Sequence, residues 1–224
     1  MSGTGLATAR VDVVSDVICP WCYIGKAQLE RAMPMLAGDG LKLDVHWQAF
    51  QLNPEMPPAG VERGSYRRAK FGSQARSDEL DAQVAAAGGV VGLEIRHDLM
   101  RRTPNTVAAH RVIWLAERHG VQTAVVDALF RGYFTEGRDI GDYETLVELG
   151  GAAGLPGPRI AEMLAGETGK KEVLEADSSA RGAGLNGVPT FTMLGHVLFS
   201  GAVPADTMAE AFLNAWRILG KNAA

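Results

Sequence analysis

A pair of cysteines set three residues apart constrains the fold of this chain more than any other feature of its sequence. The motif CPWC, from Cys19 to Cys22, follows an alternating apolar stretch (11–17) that is typical of a buried strand. It precedes a segment (23–36) whose apolar residues have helical spacing. Pro20 suits the first turn of a helix, where its missing N–H group would have no partner. The motif is therefore predicted to lie where a strand ends and a helix begins.

That position gives the two sulfurs different roles. Unpaired backbone N–H groups and the helix dipole at a helix N-terminus favour the thiolate form of Cys19, which makes it the attacking sulfur and a good leaving group. Cys22 lies one turn further in, where we expect it to be more buried and to have a higher pKa. It can then displace whatever Cys19 has captured, because the ring that the two sulfurs close is small.

A lone CxxC motif can also belong to a zinc site or form an inert cysteine pair. A zinc site needs about four ligands, and the chain has no second CxxC motif. The histidines show no ligand-like spacing to one another: His46, His97, His110, His119 and His196. We therefore expect no metal, and the inert pair remains the other alternative.

Composition limits the partners and the compartment. The formal net charge is −4, which argues against nucleic acid or an acidic membrane surface as a partner. No apolar run approaches the ~20 residues of a membrane span, and none resembles a signal peptide. Two closely spaced cysteines suit a reducing compartment, so we expect a cytoplasmic protein. A small basic cluster (Arg67, Arg68 and Lys70) is interpreted as a solvated helix face.

The order of elements follows from apolar periodicity and from glycine and proline positions. A second strand is predicted at 41–50, and the segment NPEMPPAG (53–60) marks a boundary because it suits neither a helix nor a central strand. Helical patterns continue to about Leu185, with one helix beginning at 103–105. Strand patterns then return at 190–194 and 197–199, before a final helix that opens at Pro204. The predicted order is β-α-β, a helical block, then β-β-α.

This order and several motifs resemble the thioredoxin superfamily, in its DsbA-like branch and FrnE-like subgroup. The motifs are SDVICPWCYIGK, PNTVAAHR, LFRGYFTEGRDIGDYETL, GVPTF and SGAVP. The resemblance implies an α/β fold of the thioredoxin-like class, with a mixed four-stranded sheet and a large all-helical insertion. It divides the chain into an N-terminal thioredoxin-like part (11–60), a helical insertion (61–185) and a C-terminal thioredoxin-like part (186–220).

The resemblance also implies a second half of the site. A cis peptide at Val188-Pro189 would pack against Cys19 and Cys22, leaving Val188 free to pair with an extended substrate chain. Trp21 occupies the variable dipeptide that tunes the redox balance in this superfamily.

Further candidates surround this centre. Asp16 is either a strand-end residue that bonds the loop or a buried carboxylate that moves protons for Cys22. In relatives, the region of Asn105, Thr106 and His110 faces the substrate groove, although His110 alone also suits a helix histidine whose hydrogen bonds are satisfied.

The function implied is a cytosolic thiol–disulfide oxidoreductase or isomerase. Its partner would be a disulfide-containing protein or a small thiol, with no bound cofactor and glutathione as a candidate co-substrate. We expect a monomer or a homodimer. The alternatives are a glutathione-dependent isomerase or transferase of the hydroxychromene-carboxylate isomerase or kappa-class type, in which serine usually stands at the position of Cys19, and a non-catalytic binding protein.

Overall fold

A mixed four-stranded sheet forms the centre of the computed structural model, which describes residues 6–220. Its strands are β1 (Ala7–Ser15), β2 (Leu41–Ala49), β5 (Thr190–Met193) and β6 (His196–Ser200), in the order β2-β1-β5-β6. The pairing of β1 with β2 is parallel, whereas β1 with β5 and β5 with β6 are antiparallel. The sheet predicted from the sequence is therefore present.

The central strand β1 begins and ends earlier than the predicted 11–17. Val11 and Val13 are buried, as expected for a strand with neighbours on both sides. The strand stops at Ser15 because the chain turns there, and the Cys19 N–H donates to the Asp16 carbonyl at 3.0 Å. This turn brings the cysteine motif directly to the end of β1.

Two helices from opposite ends of the chain cover the sheet. α1 (Pro20–Gly38) packs on α9 (Ala205–Leu219), and α9 also contacts β5 and β6. The buried face of α1 includes Leu29 and Leu36, and that of α9 includes Met208 and Phe212. Since α1 is held by the sheet and by α9, the position of its first turn is fixed.

A block of helices lies between β2 and β5 in the chain. Within the described residues it contains α2 (Arg63–Phe71), α3 (Gln74–Val90), α4 (Val107–Arg118), α5 (Gln122–Phe134), α6 (Tyr143–Ala152), α7 (Gly157–Ala165) and α8 (Lys170–Gly182). The same block holds a short ladder that the sequence does not predict, formed by β3 (Val61–Glu62) and β4 (Arg102–Thr103). The exact domain boundaries at 60 and 185 stay a prediction.

The start of α4 differs from the predicted 103–105. Thr103 belongs to β4, and the side chain of Asn105 accepts a hydrogen bond from the Val107 N–H at 3.0 Å. An asparagine that bonds the backbone two residues on stabilises a turn in place of a helix. The helix therefore begins only after this turn, at Val107.

Side chains of the insertion attach it to the open edge of β2. Gln122, at the start of α5, accepts from the Trp47 N–H at 2.8 Å and donates to the Trp47 carbonyl at 3.1 Å. One buried amide thus completes the hydrogen bonding of an edge-strand residue whose outward groups would otherwise have no strand partner.

Replacing this amide should uncouple the insertion from the sheet. Gln122→Leu leaves two buried backbone groups of Trp47 without partners, so we expect it to lower the free energy of unfolding by roughly 2–4 kcal/mol. Urea unfolding followed by circular dichroism measures the effect. Gln74→Leu, at an exposed position of α3, is the control and should change stability by less than about 0.5 kcal/mol. Equal effects of the two substitutions would contradict this attachment.

Candidate functional site

The cysteine motif occupies the junction that its sequence predicts. Cys19 precedes the first residue of α1 with extended backbone angles (φ −88°, ψ 114°), and Pro20 is the first helical residue. The Cys22 N–H donates to the Cys19 carbonyl at 3.0 Å, which closes the first turn of the helix. Both cysteines are free thiols. The pair is therefore held on one helical turn.

The exposed fractions of the two cysteines differ less than expected, but the surroundings of their sulfurs differ clearly. Cys19 is 4% exposed and Cys22 is 1% exposed. Burial raises the pKa of Cys22 well above its ordinary value, and the neighbouring sulfur of Cys19 adds to the shift. Cys19, in contrast, lines a cavity that leads to the surface. One sulfur therefore belongs to a residue that lines the cavity, and the other lies behind it with a raised pKa.

The second half of the site comes from the loop before β5. The Cys19 thiol donates to the Val188 carbonyl, with 3.6 Å between Sγ and O. The Val188–Pro189 peptide bond is cis. The backbone of Gly25, in α1, lies so close to Pro189 that a Cβ atom there would come within 2.9 Å of the proline Cγ. Gly25 was not a sequence candidate, although its place one turn after Cys22 could have marked it.

Asp16 and His110 form a buried pair behind the cysteines. Asp16 is fully buried, and its Oδ2 accepts from the Leu52 N–H at 2.7 Å. The Nε2 atom of His110 lies 3.1 Å from the Phe50 carbonyl and 3.3 Å from Asp16 Oδ1. The single Nε2 site is directed at the carbonyl, which leaves Oδ1 without a hydrogen bond of good geometry. A buried carboxylate oxygen with spare capacity is chemically suited to accept a proton.

The structure does not bring Asn105 and Thr106 to the cavity beside Cys19. The amide of Asn105 donates to the Met56 carbonyl at 2.7 Å while its oxygen caps the turn before α4. Thr106 is buried, and neither residue lines the cavity. His110 is also buried and reaches Asp16 instead. The segment PNT (104–106) therefore supports the loop that contains Met56. Its predicted place in a substrate groove stays a prediction.

A cavity of about 350 Å³ opens directly onto Cys19. One side is made by the cysteine motif and the loop before β5, and the other by α2, α3 and the segment that joins α3 to β4. Trp21 stands at its rim with 42% of its surface exposed. A cleft of this size next to a thiol is large enough for a small molecule.

The far wall of this cavity carries charges that sequence reasoning missed. Arg63 and Arg67 both bond Asp81, at 2.8 Å and 2.7 Å, and Arg67 is only 16% exposed. The interpretation of the basic cluster as a solvated face was therefore wrong for Arg67, which packs into the cavity wall. Burial lowers the pKa of His97 to about 4, and the two arginines add to that shift, so His97 is neutral at pH 7. Sequence spacing could not reveal this cluster, because Asp81 and His97 come from other segments.

Among residues 6–220, no group of three or more His, Cys, Asp or Glu side chains comes close enough together to hold a metal ion.

Comparison with known proteins identifies the family. A model described as a DSBA-like thioredoxin domain matches residues 10–213. The chain belongs to this family. A probable DsbA oxidoreductase from Streptomyces coelicolor is 32% identical, with 94% of this chain and 91% of that chain covered and a TM-score of 0.84. The fold is thus the thioredoxin-like DsbA fold with a large helical insertion.

More distant members of this structural class differ in chemistry. A 2-hydroxychromene-2-carboxylate isomerase has 15% identity and a TM-score of 0.63, and covers 96% of this chain and 98% of its own. The cytosolic disulfide reductase DsbM from Pseudomonas aeruginosa, solved with GSH, has 17% identity and a TM-score of 0.56 with the same coverage. The DsbA-like fold alone therefore does not decide the reaction, and the side chains at the site must.

Alkylation of the reduced DSBA-like chain should follow the order of sulfur accessibility. Below about pH 8, iodoacetamide should modify Cys19 while Cys22 resists, because a thiol whose pKa is raised by burial forms little thiolate until the pH exceeds that raised value. Peptide mass mapping after timed quenching measures both sites. Modification of Cys22 first would reverse the assigned order.

Adding one methyl group at Gly25 should disturb the contact between the two halves of the site. In Gly25→Ala the new Cβ collides with the proline ring, so α1 and the Val188–Pro189 loop must move apart by a few tenths of an ångström. We expect exchange with bis(2-hydroxyethyl) disulfide to slow by roughly 3- to 30-fold. Gly38→Ala, at the end of the same helix, meets no atom within 4 Å and is the matched control. Equal rates for the two variants would show that this packing does not matter.

Proposed function

We propose that this chain is a cytosolic thiol–disulfide oxidoreductase that works through Cys19 and Cys22. The observation that carries the proposal is the contact between the Cys19 thiol and the Val188 carbonyl at the mouth of a cavity, with Cys22 buried one turn behind. Membership of the DSBA-like family supports the reaction class. The motifs SDVICPWCYIGK, PNTVAAHR and GVPTF favour the FrnE-like subgroup.

The reaction proceeds by two exchanges at sulfur. The Cys19 thiolate attacks a substrate disulfide R–S–S–R, a Cys19–S–S–R bond forms, and one R–S⁻ leaves. Cys22 then loses its proton and attacks the Cys19 sulfur, which releases the second R–S⁻ and leaves a Cys19–Cys22 disulfide. The substrate gains two electrons and the protein loses two. The reverse sequence oxidises a dithiol substrate.

The surroundings supply the other requirements of the cycle. Val188 offers backbone groups for an extended substrate segment beside the reacting sulfur. The buried pair of Asp16 and His110 is suited to take the proton that Cys22 must lose, since Asp16 Oδ1 has capacity for it. The sulfurs of the protein carry the electrons, so no resident cofactor is needed, and glutathione is the candidate small thiol that returns the pair to its starting state.

The cellular compartment of the protein and the direction of its disulfide exchange are proposed together. Across the residues that the structure describes, no helix is both long enough and apolar enough to cross a membrane. Two closely spaced cysteines suit a reducing compartment, where the glutathione pool favours disulfide reduction or isomerisation. Equilibration of the pair with glutathione at known ratios measures the direction.

Trapping the first exchange tests the proposal. Reduced Cys22→Ser should form a Cys19–glutathione adduct on treatment with oxidised glutathione, because no second thiol is present to displace it. Wild-type protein should instead form the internal disulfide and release two equivalents of glutathione. Intact-mass spectrometry distinguishes the two products.

Cys19→Ser is the matched control and should form little adduct, since its remaining sulfur is buried with a raised pKa. Equal adduct formation by both variants would contradict the assigned roles. Full turnover by Cys22→Ser in a glutathione-dependent isomerisation would favour the isomerase or transferase alternative over this proposal.

A further inference from the structure

The wall of the cavity that faces Cys19 carries an excess of positive charge. Among the described residues that line it, Arg63, Arg67 and Lys70 are cations, Asp81 is the one carboxylate, and His97 is neutral at pH 7. The lining therefore has a net charge of about +2 in a chain whose formal net charge is −4. The net charge of the cavity lining is thus opposite in sign to the net charge of the whole protein.

Part of this charge is left available by the contacts that hold the wall together. Arg67 Nε donates to the Ser77 hydroxyl, and its Nη2 donates to the Ser77 carbonyl and forms an ion pair with Asp81. Among the described residues, none accepts a hydrogen bond from its Nη1. The Arg67 guanidinium also lies over the ring of Phe71 at 4.7 Å, which fixes its plane. A guanidinium that is held in one orientation and has a donor nitrogen to spare can bind an additional hydrogen-bond acceptor.

Lys70 extends this donor surface. Its Nζ donates to the Tyr66 hydroxyl at 2.7 Å, and that hydroxyl donates to Asn53 Oδ1 at 2.6 Å. The other atom of this amide, Asn53 Nδ2, is buried and has no hydrogen-bond partner. Three donor-bearing side chains of the cavity wall are therefore linked, and one buried donor lacks an acceptor.

We propose that the cavity selects small disulfides and thiols that carry a carboxylate close to their sulfur, holding that carboxylate on Arg67 and Lys70 while the sulfur reaches Cys19. A cavity of about 350 Å³ has the size of a small-molecule site and cannot enclose a folded partner. The inference rests on the proposed function, because it names the substrate class for the same pair of thiols.

Three disulfides of similar size and different charge provide the test. They are dithiodiglycolate, which is anionic, bis(2-hydroxyethyl) disulfide, which is neutral, and cystamine, which is cationic. Pre-reduced protein is mixed with each in a single turnover, in which Cys19 and Cys22 are oxidised to a disulfide and the substrate is reduced to two thiols. No external reductant is then needed. Leaving-group differences cancel when the anion-to-cation rate ratio of a variant is divided by that of the wild type.

Lys70 is the residue to change, because it is exposed and its side chain is not part of the core. Lys70→Met should lower the anion-to-cation rate ratio by roughly 3- to 10-fold, and Lys70→Glu should lower it further. Arg68→Gln removes a charge from the same helix outside the cavity and should leave the ratio within about twofold of wild type. Raising the salt concentration from about 0.05 M to about 0.5 M should reduce the wild-type ratio, because screening weakens the attraction.

The outcomes separate this inference from the proposed function. Unchanged rates with the neutral disulfide would show that the variants keep an intact redox pair. If the ratio is the same in wild type, Lys70→Met and Lys70→Glu, the selection of anionic substrates is overturned while the exchange reaction stands. If the reduced wild type reacts with none of the three disulfides, the proposed function itself fails.

Discussion

The contact between the Cys19 sulfur and the Val188 carbonyl is the constraint on which the rest of this structure depends. It joins two residues 169 positions apart, so the helical insertion must begin and end near the same edge of the fold. The antiparallel pairing of β1 with β5 makes this closure, with Val13 opposite Phe191. The start of α1 and the loop before β5 are thereby held at the same end of the sheet.

The insertion contributes more than bulk to this arrangement. Its first two helices form one wall of the cavity beside the cysteines, and the first of them, α2, presents two guanidinium groups to it. Asp81 stabilises two of these cations in a partly buried wall, where an isolated charge would be costly to desolvate. Distant proteins with the same fold include an isomerase and a disulfide reductase, so the fold alone does not set the reaction.

The sequence contains enough local information to predict the four strands of the sheet, α1 and the position of the cysteine motif, whereas the assembly of the strands into one sheet followed from the family resemblance. Those features depend on apolar periodicity and on proline placement, which act over a few neighbouring residues. The beginning of α4 could not be predicted in the same way, because a side chain to backbone bond at Asn105 outweighs helix propensity there. The burial of Arg67 was also invisible, since its partner Asp81 lies on the next helix and the spacing alone resembled a solvated face.

The short segment after β2 gathers several long-range bonds at one place. The Phe50 carbonyl lies against His110 of α4, the Gln51 N–H donates to Asp177 of α8 at 2.8 Å, and the Leu52 N–H donates to the Asp16 carboxylate. Three consecutive residues thus link two insertion helices mechanically to the acid behind the redox pair. The positions of α4 and α8 are consequently tied, through a stretch of only three residues, to the buried carboxylate of Asp16, so the insertion anchors the site from behind as well as covering it.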